Sequence, residues 1–172
     1  YLNSIEEADN SNMLNDAIAL YDENKLDESF EKFNEILSKD SQNAYALYYR
    51  GMIYDTKEKR NEAIADLKKA YSLNKDFTIC NYLIASDYDA LGKYKDAYDY
   101  YNAYVNSNVE EDEYKQYAKA RAEELKKYLT TYYGDASYDH MVFPGMVYIT
   151  HPTEYGTPVS YTHLRAHETV LD

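Results

Sequence analysis

Four histidines, one cysteine and a run of acids are the residues of this chain with the most obvious chemical potential. His140 and His151 flank an apolar stretch. His163 and His167 stand four residues apart, a spacing that puts two imidazoles on one face of a helix. A structural zinc ion needs four ligands and a catalytic one at least three, and neither pair has a further His or Cys at ligand spacing. Cys80 is the single cysteine, so no disulfide can form within the chain. It falls on the apolar side of a helical pattern, where a thiol behaves as a small hydrophobe. Glu110-Glu111-Asp112-Glu113 lacks the alternating ligand spacing of a calcium loop, and acids opening a helix favour its dipole. There is no Gly-rich phosphate loop, no paired-cysteine motif and no nucleophile motif around a serine. The sequence therefore predicts no catalysis, no metal and no cofactor. What remains is tyrosine, present 23 times against 4 Phe and no Trp. Its ring and hydroxyl favour recognition over reaction.

Composition narrows the partners. The 172 residues carry 18 Lys and Arg against 31 Asp and Glu, a formal charge of −13. That balance disfavours duplex nucleic acid, which is held mainly by cations on phosphates, and an anionic membrane surface. Five Gly and three Pro are too few for a many-turned β architecture. No apolar run approaches the roughly 20 residues of a membrane helix. An apolar share of 45% suits a globular core, built here largely from tyrosine.

The elements that must position these residues follow a 34-residue period. Gly51 matches Ala85, Tyr54 matches Tyr88, Ala63 matches Ala97 and Leu67 matches Tyr101. The same step backwards reaches Ala17, Leu20, Ser29, Phe33 and, from Ala70, Ile36. Three units emerge: Asn10–Asn43, Ala44–Phe77 and Thr78–Glu111. Each reads as two amphipathic helices around a short turn. In the second unit Leu47, Gly51, Ile53 and Tyr54 precede the polar turn Lys57-Glu58-Lys59. Ala63, Ile64, Leu67, Ala70 and Tyr71 then form a helical stripe. Gly92 sits where a helix ends and a left-handed residue is needed. Gly51 costs up to about 1 kcal/mol inside a helix, which a close helix–helix crossing explains, with Ala63 and Ala97 on the facing helices.

This pattern resembles the tetratricopeptide repeat family. Leu47, Gly51, Tyr54, Ala63, Leu67 and Ala70 carry its motif best. Ala85, Tyr88, Gly92, Tyr94, Ala97 and Tyr101 carry it in the third unit. The first is weaker, and the usual closing proline is replaced by Ser41, Lys75 and Val109. The resemblance implies an all-α, right-handed α–α superhelix of three helical hairpins, over residues 10–129, with a capping helix at 110–129. We read Ser107-Asn108-Val109-Glu110 as the capping box of that last helix. Its apolar side is Tyr114, Ala118, Ala122, Leu125 and Leu129. The resemblance also implies that the first helix of each repeat lines a concave groove. The groove residues are then Leu14, Ile18 and Tyr21, followed by Tyr45, Tyr48, Met52 and Asp55, then Ile79, Tyr82, Ser86 and Asp89. Some family members clamp a chaperone's C-terminal carboxylate with Lys, Arg and Asn. The matching places here hold Leu14, Ile18, Tyr49, Ile79 and Leu83, so no such clamp is expected.

The implied function is a non-enzymatic scaffold for a protein or peptide partner, apolar with basic flanks and drawn in by Asp55 and Asp89. No nucleic acid and no direct membrane contact are expected. The alternative is the interaction arm of a larger enzyme or membrane-anchored protein. Residues 1–9 read as the end of an upstream helix, broken at Asp9–Asn12. Because the chain opens on Tyr1, a segment is expected ahead of it; a cytoplasmic location is favoured, with a signal or anchor left open. Residues 130–158 read as a linker with two short strands around Pro144-Gly145. Val159–Thr169 resembles a translated sequencing adapter, which implies a conceptual translation of environmental sequence, and residues 159–172 are set aside with both of their histidines. Deleting residues 159–172 should leave helicity and the melting temperature unchanged in circular dichroism. A clear drop in melting temperature would show that the tail packs on the fold.

Overall fold

A computed structural model describes residues 2–133, all helical apart from the connections between helices. The helices are α1 (Leu2–Asp22), α2 (Leu26–Lys39), α3 (Ala44–Thr56), α4 (Arg60–Leu73), α5 (Ile79–Ala90), α6 (Tyr94–Val105) and α7 (Glu113–Tyr133). Consecutive helices pack on each other, and α1–α2, α3–α4 and α5–α6 form hairpins. The proposed strands around Pro144-Gly145 and the adapter-like tail lie outside the described residues.

The 34-residue period is visible in the backbone itself. The only non-glycine residues with positive φ among the described residues are Asn24 and Glu58, at 59° and 58°, and Gly92 follows at 70°. These three stand 34 apart, each in the turn inside a hairpin. Each turn closes the same way: Lys25, Lys59 and Lys93 donate their backbone N–H to the carbonyls of Leu20, Tyr54 and Tyr88. Left-handed backbone is cheap for Gly and tolerable for Asn. Glu58 is held there by the hairpin around it.

The core follows the same register. Ala17, Ala85, Ala63, Ala97 and Ser29 are all fully buried, and Gly51 is buried beside them. A Cβ added to Gly51 would lie 2.9 Å from Leu67 Cγ and 3.5 Å from the Ala63 carbonyl oxygen. The crossing of α3 and α4 therefore has no room for a side chain at that point. In the first hairpin Ser29 takes the place of alanine and donates its hydroxyl to the Ala17 carbonyl at 2.8 Å. Above each crossing one large residue fills the layer: Phe33, Leu67 and Tyr101, none more than 1% exposed.

Three boundaries differ from expectation. Helix α1 runs unbroken through Asp9–Asn12, because Asn, Ser and Asp tax a helix interior only modestly and no Gly or Pro interrupts it. Helix α7 opens at Glu113 and not at the Ser107–Glu110 motif. Ser107 turns its hydroxyl back to the Tyr104 carbonyl, whereas Asp112 Oδ1 accepts from the Lys115 N–H at 2.8 Å and caps the helix. The helix continues to Tyr133, past the boundary expected near 129. On α7, Ala118, Ala122, Leu125 and Leu129 are buried as expected, but Tyr114 is 47% exposed. It sits in the opening turn of α7 and leans away from the stripe that faces α6.

Gly51→Leu and Ala97→Leu should each lower stability by about 1–3 kcal/mol through overpacking at the crossings. Melting curves matching the parent for both variants would contradict this register.

Candidate functional site

Tyrosine rings of the first helices, joined by rings from the α4–α5 connection, α6 and α7, form two clusters, one around Tyr48 and one around Tyr82, which together make up the strip. At one end the Tyr21 ring meets Tyr49 edge-on, centroids 5.2 Å apart, and the Tyr21 hydroxyl lies 3.9 Å from Met52 Sδ. Tyr49 is stacked on the buried Phe33 and meets Tyr48 at 5.2 Å. Phe77, in the connection before α5, takes Tyr48 on one side at 5.3 Å and Tyr45 on the other at 5.0 Å. At the far end Tyr82 gathers Tyr114 at 5.3 Å, Tyr104 at 5.6 Å and Tyr117 at 6.2 Å. Such edge-on pairs each add about 0.5–1.5 kcal/mol beyond area burial.

The exposure of these rings is graded. Tyr45, Tyr114 and Tyr117 are 49%, 47% and 51% exposed. Tyr21, Tyr48, Tyr49 and Tyr82 are half-buried and lean on the core. Burial pushes the Tyr48 phenol up to about 12. Desolvation also raises Tyr21, Tyr49 and Tyr82, helped by neighbouring phenols or acids. All four remain neutral hydroxyls at physiological pH. Cys80, beneath them and fully buried, has its thiol pushed up to about 12 by desolvation, so no thiolate nucleophile forms there.

The expected groove residues do not all gather. Tyr45, Tyr48, Met52 and Tyr21 share one cluster, and Tyr82 anchors the second. Leu14, Ile18 and Ile79 are partly buried against the core. Ser86 is exposed. Asp55 and Asp89 are not the free negative charges that were expected. Asp89 is 13% exposed and receives both Nε and Nη2 of Arg121, at 2.6 Å and 2.7 Å. That contact, with a further bond to Glu124, raises the guanidinium pKa. Asp55 accepts from Arg60 Nη1 at 3.0 Å, and the same nitrogen donates to Asp87 Oδ1 at 3.0 Å. Burial first, then the neighbouring Asp55, pushes the Asp87 carboxyl up to about 7 against the pull of Arg60. Asp22 also stands beside the strip, near Tyr21 and Tyr49, as does Glu113, near Tyr82, while Asp55 too lies near Tyr21.

Residues from α7 complete the site and were not anticipated: Tyr114, Tyr117 and Arg121. Spacing could not reveal them, since α7 leaves the 34-residue register. Among the described residues no group of three or more His, Cys, Asp or Glu is arranged to hold a metal ion. None of the described helices is long and apolar enough to cross a membrane. The four histidines lie outside the described residues.

No protein-family model matches the chain, and no curated protein matches it. Solved structures do. One is a type III secretion complex from Aeromonas hydrophila, at 16% identity and a TM-score of 0.65, covering 74% of this chain and 87% of that one. Another is the type III secretion chaperone SycD of Yersinia enterocolitica in complex with a peptide of the translocator YopD. It stands at 12% identity and a TM-score of 0.61, covering 69% and 92%. A third is the first tetratricopeptide domain of Spaghetti bound to an HSP90 peptide, at 18% identity and a TM-score of 0.59, covering 70% and 93%. At these identities the likeness is one of fold: the chain folds as the tetratricopeptide-repeat domains do.

The Asp87 carboxyl gives a signed pH dependence. Its pKa is raised in the fold above the ordinary value of 3.8, so the folded state holds more protons than the unfolded one between about pH 4 and about pH 7. Stability from this group is full below that window and falls as pH rises through it. Asp87→Asn should flatten that fall. Urea midpoints of parent and variant that run parallel from about pH 4 to about pH 8 would refute the assignment.

Proposed function

We propose that this chain is a non-enzymatic peptide-binding scaffold whose strip of tyrosines receives an extended or helical segment of a partner protein. The observation that carries the reading is the set of three half-exposed rings, Tyr45, Tyr114 and Tyr117, standing beside half-buried rings that hold them in place. A soluble fold spends solubility on an exposed aromatic row, and such rows mark interaction surfaces. Tyrosine suits the task, since a rigid ring with a polar tip loses little conformational entropy on contact. The fold is shared with SycD and with the Spaghetti domain, each solved with a peptide bound, which supports the same use here.

The partner class follows from charge. The places where a carboxylate clamp would need cations hold Leu14, Ile18, Tyr49, Ile79 and Leu83, so a ligand read by its terminal carboxylate fits poorly. The core of the ligand is apolar or aromatic. Its flanks are basic, matched to Asp22 and Glu113 at the two ends of the strip and to the −13 charge of the chain. That charge speeds encounter with a cationic segment at low salt. We place the activity in the cytoplasm, where a lone reduced thiol such as Cys80 is ordinary.

Panning a random peptide library against the full chain tests this. Binders should carry apolar centres with Lys or Arg on the flanks. Tyr45→Ala with Tyr117→Ala should weaken a selected peptide by about 2 kcal/mol per ring, roughly thirtyfold each, with the helical signal intact because both rings are half exposed. Enrichment of acidic peptides, or affinity untouched by the double change, would overturn the reading.

A further inference from the structure

The side chain of Asp87 is 1% exposed, and its Oδ2 has no hydrogen-bond partner. Its Oδ1 and Asp55 Oδ1 each lie 3.0 Å from the same nitrogen, Arg60 Nη1. Two carboxyl groups thus converge on one guanidinium nitrogen. If both were ionised, two like charges would share a single cation, with one of them, Asp87, buried away from water, an arrangement that drives one to take up a proton. With one proton shared, one carboxyl becomes a donor and the other an acceptor. With Arg60, the triad is then neutral. A proton held between the two carboxyls belongs to neither alone.

The two acids differ in access. The Asp55 side chain is 41% exposed; it stands three residues after Met52 on α3 and near Tyr21 of α1, whereas the Asp87 side chain is buried. The charged and titratable groups around the pair are Tyr21 from α1, Asp55 from α3, Glu58 from the turn and Arg60 opening α4. Farther along α5, Asp89 is already neutralised by Arg121.

We infer that the Asp55–Asp87 pair under Arg60 is a proton-linked cation site at the edge of the groove: it holds one proton when empty and releases it when an ammonium or guanidinium group of a bound segment comes against Asp55. The inference rests on the groove reading for its biological ligand but not for its test. The proton passes to solvent, and the site changes from neutral to a net single negative charge matched by the incoming cation. Reciprocity then requires acid to weaken the same contact, by up to about tenfold per pH unit below the titration of the pair. A partner with a basic residue at this position is held at neutral pH and let go on acidification.

The probe is tetralysine amide, added to the full chain while the side-chain carboxyl carbons are followed by NMR from about pH 4 to about pH 9. The Asp87 carboxyl carbon should report a step well above the ordinary carboxylate range. Tetralysine should lower the midpoint of that step by half a pH unit or more. Asp87→Asn keeps a contact to Arg60 through its amide oxygen and can donate to Asp55. It should abolish the step and leave the tetralysine affinity independent of pH across the same window, with an unchanged circular dichroism spectrum. An Asp87 carboxyl that titrates in the ordinary carboxylate range would overturn the inference. So would a midpoint unmoved by saturating tetralysine, or no tetralysine binding at any pH. A peptide selection that yields no groove ligand, beside a pair that still titrates and still responds to tetralysine, would sink the scaffold reading and leave this one standing.

Discussion

Each hairpin of this protein crosses where neither helix carries a side chain larger than a serine. Ala17 meets the Ser29 helix, Gly51 the Ala63 helix and Ala85 the Ala97 helix, and all six are buried. The space is so limited that even the Cβ of alanine at Gly51 would press on Leu67. The rest of the structure depends on this constraint. A fixed crossing sets the angle of each hairpin, the angle sets how one hairpin stacks on the next, and the stacking lines up α1, α3 and α5 so that their outer faces form a single surface. Side chains spaced along that surface then meet as a strip. The left-handed turn residues Asn24, Glu58 and Gly92 serve the same end, because they bring each second helix back along the first.

Charged groups register one hairpin against another. Arg50 of α3 reaches Asp66 of α4 with two hydrogen bonds and Asn34 of α2 with a third. Arg60 joins α4 to Asp87 of α5, and Arg121 joins α7 to Asp89 of α5. Partly buried pairs of this kind offset much of their own desolvation, so their main effect is to favour one stacking over its neighbours. They also consume the acids nearest the strip. Of the acids near the strip, Asp22 and Glu113 take part in none of these ion pairs.

The fold was legible because its period is written twice, once in small residues and once in large ones. Ala63 and Ala97, or Leu67 and Tyr101, stand 34 apart with no gap. Half of the site was legible for the same reason: Tyr45, Tyr48, Met52 and Tyr82 occupy repeated positions on first helices. What stayed hidden has identifiable physical causes. Helix α7 follows its own stripe, so Tyr114 looked like an extension of Ala118 and Ala122 when it is really the exposed opening turn. A clue was present in Asp112, three residues before Lys115, which is N-cap spacing. The partner of Asp55 was within reach, since Arg60 lies just across a tight turn. The partner of Asp89 was not, because Arg121 is 32 residues away on a helix outside the repeat.

Tyrosine links the core and the surface of this molecule. In the second and third hairpins the same residue type fills the crossing layer at Tyr101 and lines the strip at Tyr48 and Tyr82, and on α7 it stands half in solvent at Tyr117. Ring contacts join these levels without a gap: Tyr117 touches both Tyr101 and Tyr82. An exposed ring so tethered has lost most of its rotational freedom before any ligand arrives, and that loss is one of the main costs of association. Its hydroxyl keeps it wettable, which phenylalanine would not. A strip built this way discriminates little among apolar ligands, since neutral phenols accept many shapes. Selectivity has to come from fixed charge, which Asp22, Glu113 and, when its buried partner gives up a proton, Asp55 are placed to supply.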